Sequence, residues 1–249
     1  MDTKETQQYL ILKCYGGSIA YGTNTPESDV DVRGIFIPPK DYWLGLKRVD
    51  QCIGKDPDTD YKALARYLEL ALGNNPNILE YLFLLDKHYI WRDVPDDLKH
   101  LGKKLIENRD LFLSKKCKHS YLGYAWSQFT RMDKLNANVN QNKRRLDLVE
   151  KFGYDTKNAM HLIRLLRTGM EILVEQTIHV HRDDARELLD IKAGKYTYEQ
   201  LKEQVDRYKE MIEEAYVKST LQYSPDREKV HQLCMEMAEE AIAIYNKRT

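Results

Sequence analysis

The chain has 249 residues, of which 42% are hydrophobic and 31% charged, which is enough for one large domain or two small ones with a hydrophobic core. Lys plus Arg equals Asp plus Glu at 39 each, so the net charge does not indicate a nucleic-acid-binding protein, and any such surface must be local. No stretch approaches the ~18 apolar residues of a membrane span, the polar first residues do not resemble a secretory signal, and the four cysteines form no CxxC pair. We therefore expect a cytoplasmic protein with no membrane segment, no zinc site and no disulfide framework.

The first predicted elements are a strand, a tight turn and a short helix. The apolar run 9–15 is short enough for a strand and stops at the pair Gly16-Gly17. Gly17 lets the backbone approach another group closely, and Ser18 offers both a hydroxyl and a helix N-cap. Free N–H groups at this corner could face an anion, so the corner is suited to a phosphate.

A second strand is predicted after the turn residues 24–28. The segment 29–37 alternates polar and apolar residues, so Asp29, Asp31 and Arg33 share one face. Successive side chains on one face of a strand are roughly 7 Å apart, and carboxylates at that spacing can converge on divalent ions, which two-metal sites hold about 3.5–4 Å apart. The alternative is a solvated Asp-x-Asp at a strand start, which is the commoner role of that motif when it stands alone.

Together these motifs resemble the signature of the DNA polymerase beta-like nucleotidyltransferase superfamily. In that family a Gly-Ser pair is followed, after a loop, by two acids that flank an apolar residue, as Gly17-Ser18 is followed here by Asp29-Val30-Asp31. The longer strings GGSIAYGT and SDVDVRGIF are similar to the bacterial and phage branch described as predicted nucleotidyltransferases of RNA-repair type.

The resemblance also implies a third carboxylate on a neighbouring strand. Asp58 and Asp60 precede a helix predicted over 61–72, and both would lie on one strand face. The family pattern favours Asp58. Asp60 is the alternative ligand, although an acid directly in front of a helix is often an N-cap.

From about residue 109 the sequence is almost wholly helical. The basic group 143–145 could touch phosphates, but a solvated helix face is the favoured interpretation. The patterns of this region predict, in order, one long helix over 111–132, a polar break at 136–142, a helix over 154–177, a helix over 182–192, a helix capped by Thr197 and a last helix that starts at Ser224-Pro225.

The helix over 154–177 has an apolar stripe and a second stripe of cationic or hydrogen-bonding residues. Lys157, His161 and Arg164 fall at i, i+4 and i+7 on the second stripe. Such a row could clamp a nucleoside triphosphate, because Arg and Lys neutralise phosphate charge. The alternative is a surface stripe balanced by neighbouring acids. The segment also resembles the family's helical-domain motif of a Lys, a His and an Arg at this spacing, which implies that the three residues contact the nucleotide.

The sequence therefore predicts an α+β protein. A small mixed β-sheet bears the acids in a catalytic domain at 1–105, and a mostly helical domain at 106–249 closes over the nucleotide. The resemblance implies a nucleotidyltransferase in which Asp29, Asp31 and Asp58 hold two Mg²⁺ or Mn²⁺ ions and an NTP, expected to be ATP, is the substrate. The residues expected to bind that nucleotide are Gly17, Ser18, Arg33, Lys157, His161 and Arg164.

In this scheme an acceptor hydroxyl attacks the α-phosphate in line and pyrophosphate leaves. The association of the resembled branch with RNA repair suggests an RNA 3′ end as the acceptor. Two alternatives stay open from the residues alone. One is adenylylation of a protein or a small molecule at the same site, and the other is an antitoxin-like or regulatory binding protein that keeps the fold without the activity.

Overall fold

A computed structural model describes residues 1–55, 57–132 and 143–248, with the side chains of 143–146 left aside. The predicted polar break at 136–142 and the side chains of the basic group 143–145 lie outside this description. The chain divides into two compact units. The first comprises Met1–Phe112 and the segment from Pro225 onward, and the second comprises Leu113–Ser224.

The first unit contains a four-stranded mixed sheet, as the sequence predicts. Its strand order is β1-β2-β4-β3, in which β2 and β4 are parallel neighbours and the two edge strands pair antiparallel with them. The parallel pairing places the beginnings of β2 and β4 side by side at one end of the sheet. The strands are β1 (Leu10–Tyr15), β2 (Asp31–Phe36), β3 (Gln51–Lys55) and β4 (Asp58–Ala63).

Two of these bounds correct the predicted elements. The second strand begins at Asp31 rather than at Asp29, which lies in the loop before it. The helix predicted over 61–72 begins only at Leu64, because the ladder between β2 and β4 continues up to the pair Phe36 and Ala63. The helical spacing of Leu64, Leu68 and Leu72 indicates the helix but not that residues 61–63 still belong to the preceding strand.

Four short helices and three longer ones accompany the sheet in the described part of the first unit. One core cluster is formed by Val32, Phe36 and Tyr61 from the two central strands, together with Leu10 of β1. Because the apolar side chains of β2 point into this core, the alternate side chains, including Asp31, point to the opposite face. The helices of the first unit are α1 (Thr3–Thr6), α2 (Gly17–Tyr21), α3 (Lys40–Trp43), α4 (Leu64–Leu72), α5 (Pro76–Leu79), α6 (Lys99–Glu107) and α12 (Arg227–Arg248).

The last helix, α12, belongs to the unit that contains the sheet. The Tyr245 hydroxyl donates to the Ile37 carbonyl at 2.8 Å, and Arg248 Nε lies 2.9 Å from a carboxylate oxygen of Asp97. The compact units thus divide the chain differently from the domains 1–105 and 106–249, which stay a prediction about function. Hydrophobic periodicity indicates which face of α12 is buried, but it does not indicate which unit covers that face.

The second unit is helical throughout its described part. Its central element is α9, which packs against α7, α10 and α11. The Thr197 side chain accepts from the Gln200 backbone N–H and forms the predicted capping box at the start of α11. The helices of this unit are α7 (Cys117–Met132), α8 (Lys143–Phe152), α9 (Thr156–Glu175), α10 (Ala185–Lys192) and α11 (Tyr198–Lys218).

The prediction of one helix over 111–132 is wrong at its beginning. A separate 3₁₀ turn ends at Phe112, and α7 starts at Cys117. The backbone groups that would join the two are bonded elsewhere, because the Phe112 carbonyl accepts from the Asn74 side chain at 2.6 Å and the Lys115 N–H donates to the Gln222 carbonyl at 2.8 Å. None of the described helices is both long and apolar enough to cross a membrane.

Candidate active site

The glycine turn between β1 and α2 is packed directly against an acid of β2. The Gly16 N–H donates to the Asp31 carbonyl at 2.9 Å, which joins the turn to the beginning of the second strand. Gly17 has a φ of +55°, and a Cβ at this position would lie 1.9 Å from Oδ2 of Asp31. Only glycine therefore fits here, and its backbone borders the carboxylate.

Ser18 occupies a different place in the turn from the predicted one. The N-cap of α2 is Gly16, so Ser18 is the second residue of the helix rather than its cap. Its carbonyl accepts from the N–H of Thr23 at 2.9 Å, at the point where α2 ends in the left-handed conformation of Gly22. Ser18 therefore lies one residue after Gly17, in the first turn of the short helix.

The parallel pairing of β2 and β4 brings the acids of the two strands together. Asp31 is the register partner of Asp58, and Arg33 is the register partner of Asp60. Partners in a parallel ladder point to the same face of the sheet, so these four side chains share one face. Asp29 is exposed in the loop before β2, outside the ladder.

The Arg33 guanidinium lies between the two partnered carboxylates. Its Nη2 atom is 2.8 Å from Oδ1 of Asp31 and 3.4 Å from Oδ2 of Asp58, and Nη1 donates to the Asp58 carbonyl at 3.2 Å. A Cβ at Gly16 would meet Arg33 Cγ at 2.9 Å, so this glycine also leaves room for the arginine. One cation thus holds both acids in place.

Burial raises the pKa of Asp31, and the neighbouring carboxylates of Asp58 and Asp29 raise it further, while Arg33 opposes the shift. The net direction is upward, so one arginine does not offset the combined effect of burial and the neighbouring carboxylates. A raised carboxylate pKa means that the ionised form is unfavourable in the folded chain. The cluster therefore favours an additional cation.

The second candidate for the third carboxylate, Asp60, is already paired. Both of its oxygens lie 2.8 Å from Nζ of Lys62, which also donates to Oε1 of Gln51 at 2.5 Å. The Asp58 side chain is 57% exposed and faces Asp31. The geometry therefore favours Asp58 over Asp60 as the partner of Asp31.

The cluster offers the kind of ligand atoms that a divalent cation needs, but its side chains are not arranged around a metal position. Carboxylate oxygens are the ligands that Mg²⁺ prefers, and two of the three predicted ligands, Asp31 and Asp58, meet. Among the residues that the structure describes, however, no three His, Cys, Asp or Glu side chains are grouped closely enough to hold a metal ion. Arg33 already bridges the two strand acids, so cation binding would require it to release at least one of them.

A buried hydrogen bond that the sequence analysis did not single out anchors α2. The Tyr21 hydroxyl donates to Oε2 of Glu80 at 2.7 Å, and both residues are buried. Glu80 is an acid within the otherwise apolar run 78–85. That isolated charge was the available signal, because a buried carboxylate needs a partner.

The predicted nucleotide-binding row lies on α9 in the second unit. Lys157 is exposed, His161 is half-buried, and Arg164 is 4% exposed, so the row passes from solvent into the interior. Arg167, one turn further along, is a structural residue. Its Nη2 lies 2.8 Å from Oε1 of Glu187, and it also contacts Tyr208 and Asp184.

Comparison with known proteins agrees with these motifs. The family model of RlaP, described as the RNA repair pathway DNA polymerase beta family, matches residues 2–241. An uncharacterized 38.9 kDa protein from the nrdC-mobD intergenic region of Enterobacteria phage T4 is 33% identical over 132 residues. This alignment covers 49% of the chain and 38% of the phage protein, so the match spans less than half of that relative. No solved structure matches the chain.

Proposed function

Because the chain belongs to RlaP, the RNA repair pathway DNA polymerase beta family, we propose that it transfers a nucleoside monophosphate from an NTP to an acceptor hydroxyl. The observation that carries this proposal is the parallel register that sets Asp31 beside Asp58, with the Gly17 backbone against the Asp31 carboxylate. Burial and like charge raise the pKa of Asp31, and its place beside a second carboxylate and a glycine turn supports a site for a cation and a phosphate rather than a structural ion pair.

Asp31 and Asp58 would hold Mg²⁺ or Mn²⁺, with Asp29 joining them from the loop before β2. Divalent cations bound by such a carboxylate set lower the pKa of an attacking hydroxyl and neutralise the charge on the departing pyrophosphate. The negative charge of the cluster is suited to that role, because the same repulsion that raises the pKa of Asp31 is relieved by a cation.

The chain's own residues supply positioning and charge. Gly17 lies against the Asp31 carboxylate and Ser18 follows it in the chain, so their N–H groups and the serine hydroxyl would hold the phosphates. Once Arg33 releases an acid, its guanidinium stays within the same face and can bind a phosphate oxygen. The Asp58 side chain is exposed, so an incoming acceptor hydroxyl could approach this carboxylate.

The family description supports an RNA 3′ end as the acceptor, in preference to a protein or a small molecule. We expect ATP as the donor nucleotide. On this proposal Lys157 and His161 of α9, which are exposed and half-buried, bind the phosphates of the nucleotide. The buried Arg164 supports that face from the interior.

The test is a transfer assay with pure protein and each α-³²P-labelled NTP in the presence of Mg²⁺. RNA, a protein lysate and buffer alone are offered as acceptors, and Asp31→Asn serves as the inactive control. We expect label in RNA with wild-type protein only. Label in protein would instead identify the reaction as adenylylation of a protein. No transfer from any NTP, together with nucleotide binding that does not depend on Mg²⁺, would contradict the proposal in favour of a non-catalytic binding protein.

A further inference from the structure

The second unit carries large aromatic side chains that are not buried. The Trp126 side chain on α7 is 58% exposed, and Tyr223, just after α11, is 75% exposed. Trp126 stacks on Phe129 with ring centroids 5.4 Å apart, and Tyr223 meets Tyr216 edge to face at 6.4 Å. We call these four residues the aromatic row. Exposed aromatic side chains that are grouped in this way indicate a candidate binding surface.

Lysine ammonium groups lie over all four rings of the aromatic row. Lys209 Nζ is 5.4 Å from the Trp126 ring centroid and 5.9 Å from that of Phe129. Lys118 Nζ is 4.4 Å from the Tyr216 centroid. Lys115 Nζ lies 5.5 Å and 5.8 Å from the Tyr216 and Tyr223 centroids. Each exposed ring is therefore paired with a positive charge.

The two ring pairs lie on one surface formed by α7 and α11. Lys118 near the beginning of α7 pairs with Glu213 at 2.6 Å, whereas Trp126 further along α7 meets Lys209, which comes earlier in α11. The two helices are thus antiparallel along this seam. Lys118 and Trp126 are eight positions apart, which corresponds to about 12 Å along a helix at ~1.5 Å per residue.

The charge of this surface is positive although the whole chain is neutral. Two carboxylates contact its lysines, since Glu213 pairs with Lys118 and Asp206 lies 3.3 Å from Lys209. Lys115 adds a further cation directly before α7. Cations near a helix N-terminus oppose the helix dipole, so helix stability does not explain its placement.

We propose that the aromatic row and its lysines bind single-stranded RNA. Bases stack on aromatic rings, and lysines neutralise the phosphates between them, which is the combination that single-strand binding surfaces use. The distance of about 12 Å between Lys118 and Trp126 along α7 corresponds to between three and four stacked nucleotides at ~3.4 Å each. An acidic peptide would use the lysines but leave the rings uncovered. The inference rests on the proposed function, for which this strand is the acceptor.

The test measures binding of the full chain to a fluorescein-labelled single-stranded RNA of 12 nucleotides by fluorescence anisotropy, without NTP. The ring variant combines Trp126→Ala with Tyr223→Ala, and its control combines Leu44→Ala with Leu46→Ala, which are exposed apolar residues of the other unit. We expect the ring variant to weaken RNA binding at least tenfold, because each base stacked on a ring contributes on the order of tenfold to affinity. The control should bind as wild type.

A charge variant keeps the test decisive should the ring variant fold poorly. It combines Lys115→Gln with Lys209→Gln, and its control combines Lys195→Gln with Lys229→Gln. Loss of two phosphate contacts should reduce the slope of log affinity against log salt by about 1.4, since each single-strand contact contributes about 0.7. An unchanged slope, or equal RNA binding by the ring variant and wild type, would overturn the proposal.

Two parallel measurements separate this inference from the proposed function. Binding of Mg²⁺ and ATP is measured in separate titrations of the same protein preparations. It should be equal in wild type and all variants. If wild type binds nucleotide but no RNA, the RNA surface is overturned while the nucleotidyltransferase proposal stands. Equally tight binding of a poly-glutamate of matched charge would also overturn the inference and point to an acidic protein partner. If neither RNA nor nucleotide binds, both proposals fail.

Discussion

Two clusters of acids and arginines in this protein are built from the same residue types and behave in opposite ways. In the site cluster of the first unit, Asp31 and Asp58 share one arginine, and burial and the neighbouring acids raise the pKa of Asp31. In the ion-pair network of the second unit, burial would raise the pKa of Asp184, but hydrogen bonds from two arginines outweigh it and leave the pKa lowered. Those arginines are Arg182 and Arg167, which also bind Glu171 and Glu187.

The difference lies in how many arginines bind each acid, since Asp184 is bound by two and Asp31 by one that it shares with Asp58. Each buried arginine of the network is shared between carboxylates that it contacts directly, so the ionised forms are favoured. In the site cluster the ionised form of Asp31 is unfavourable in the folded chain, and a bound cation would relieve that cost. The network is therefore a structural element, and the site cluster is a candidate for chemistry. Exchanging single residues in each should separate the two roles.

The largest effect is expected from Asp31→Asn. Transfer of the nucleotide should fall by roughly 10²–10³-fold or more, because the substitution removes charge that stabilises the transition state. The melting temperature without divalent ions should stay equal or rise, since the ionised carboxylate is unfavourable in the folded chain. Asp41→Asn, an exposed acid paired with Lys47, is the control. A clear fall in melting temperature together with full activity would assign Asp31 to the structural class.

Asp184→Asn should behave in the opposite way. Removing this acid leaves two buried arginines short of a partner, and we expect the free energy of unfolding to fall by about 3 kcal/mol. For a chain of this size the melting temperature should drop by about 6–12 °C. Asp190→Asn, which removes an exposed pair with Lys195, should change stability by less than about 0.5 kcal/mol. Equal effects of the two substitutions would contradict the buried network.

The pH dependence of the Asp184 contribution follows from the direction of its pKa. The folded pKa lies below the unfolded value, so the carboxylate contributes its full stability above about pH 3.9. That contribution is lost as the pH falls through the folded pKa. The stability difference between wild type and Asp184→Asn should therefore be constant from neutral pH to about pH 5 and narrow at lower pH, measured by urea unfolding. A difference that grows on acidification would contradict the assignment.

Arg33→Met should sharpen the comparison by removing the only arginine that bridges the site acids in the described structure. Binding of Mn²⁺ without nucleotide, followed by electron paramagnetic resonance, should tighten about tenfold, the equivalent of one charge-assisted hydrogen bond of about 1.5 kcal/mol. Arg48→Met, whose guanidinium donates to backbone carbonyls, is the control. Unchanged or weaker Mn²⁺ binding by Arg33→Met would show that the arginine does not compete with the cation.

The smallest expected effect concerns the anchor of α2. Tyr21→Phe removes the hydrogen bond to the buried Glu80 and should lower the free energy of unfolding by about 1 kcal/mol. Because α2 carries Ser18 and follows Gly17, transfer should slow as well, by less than in Asp31→Asn. Tyr223→Phe, at an exposed tyrosine, should change stability by less than about 0.5 kcal/mol. Equal stability of Tyr21→Phe and wild type would show that the hydrogen bond to Glu80 does not anchor α2.

The parts of the site that depend on local sequence are predictable from it. The apolar run before Gly16, the alternation after Asp31 and the capping box at Thr197 each lie within a few residues, and each is confirmed. The choice between Asp58 and Asp60 depends on the pairing of two strands and on Lys62, which takes Asp60. The family pattern favours Asp58, which is the register partner of Asp31, whereas strand periodicity alone leaves both acids open.

The contacts that sequence reasoning missed join distant residues. Arg167 falls on the polar side of a predicted helix, and only the folded unit brings its partners Asp184 and Glu187 from 17 and 20 residues away. The placement of α12 against Ile37 spans most of the chain. Neither a periodicity nor a motif encodes such contacts, because the same amphipathic face can pack against any complementary surface.

The most direct measurement compares Asp58→Asn and Asp60→Asn for label transfer from α-³²P ATP to RNA with Mg²⁺. Because Asp58 faces Asp31 whereas Asp60 is held by Lys62, we predict that Asp58→Asn loses transfer and Asp60→Asn retains most of it. Transfer should also stop in wild type when divalent ions are chelated. Full activity in Asp58→Asn, or transfer that continues without divalent ions, would contradict an active site built on the Asp31 and Asp58 pair.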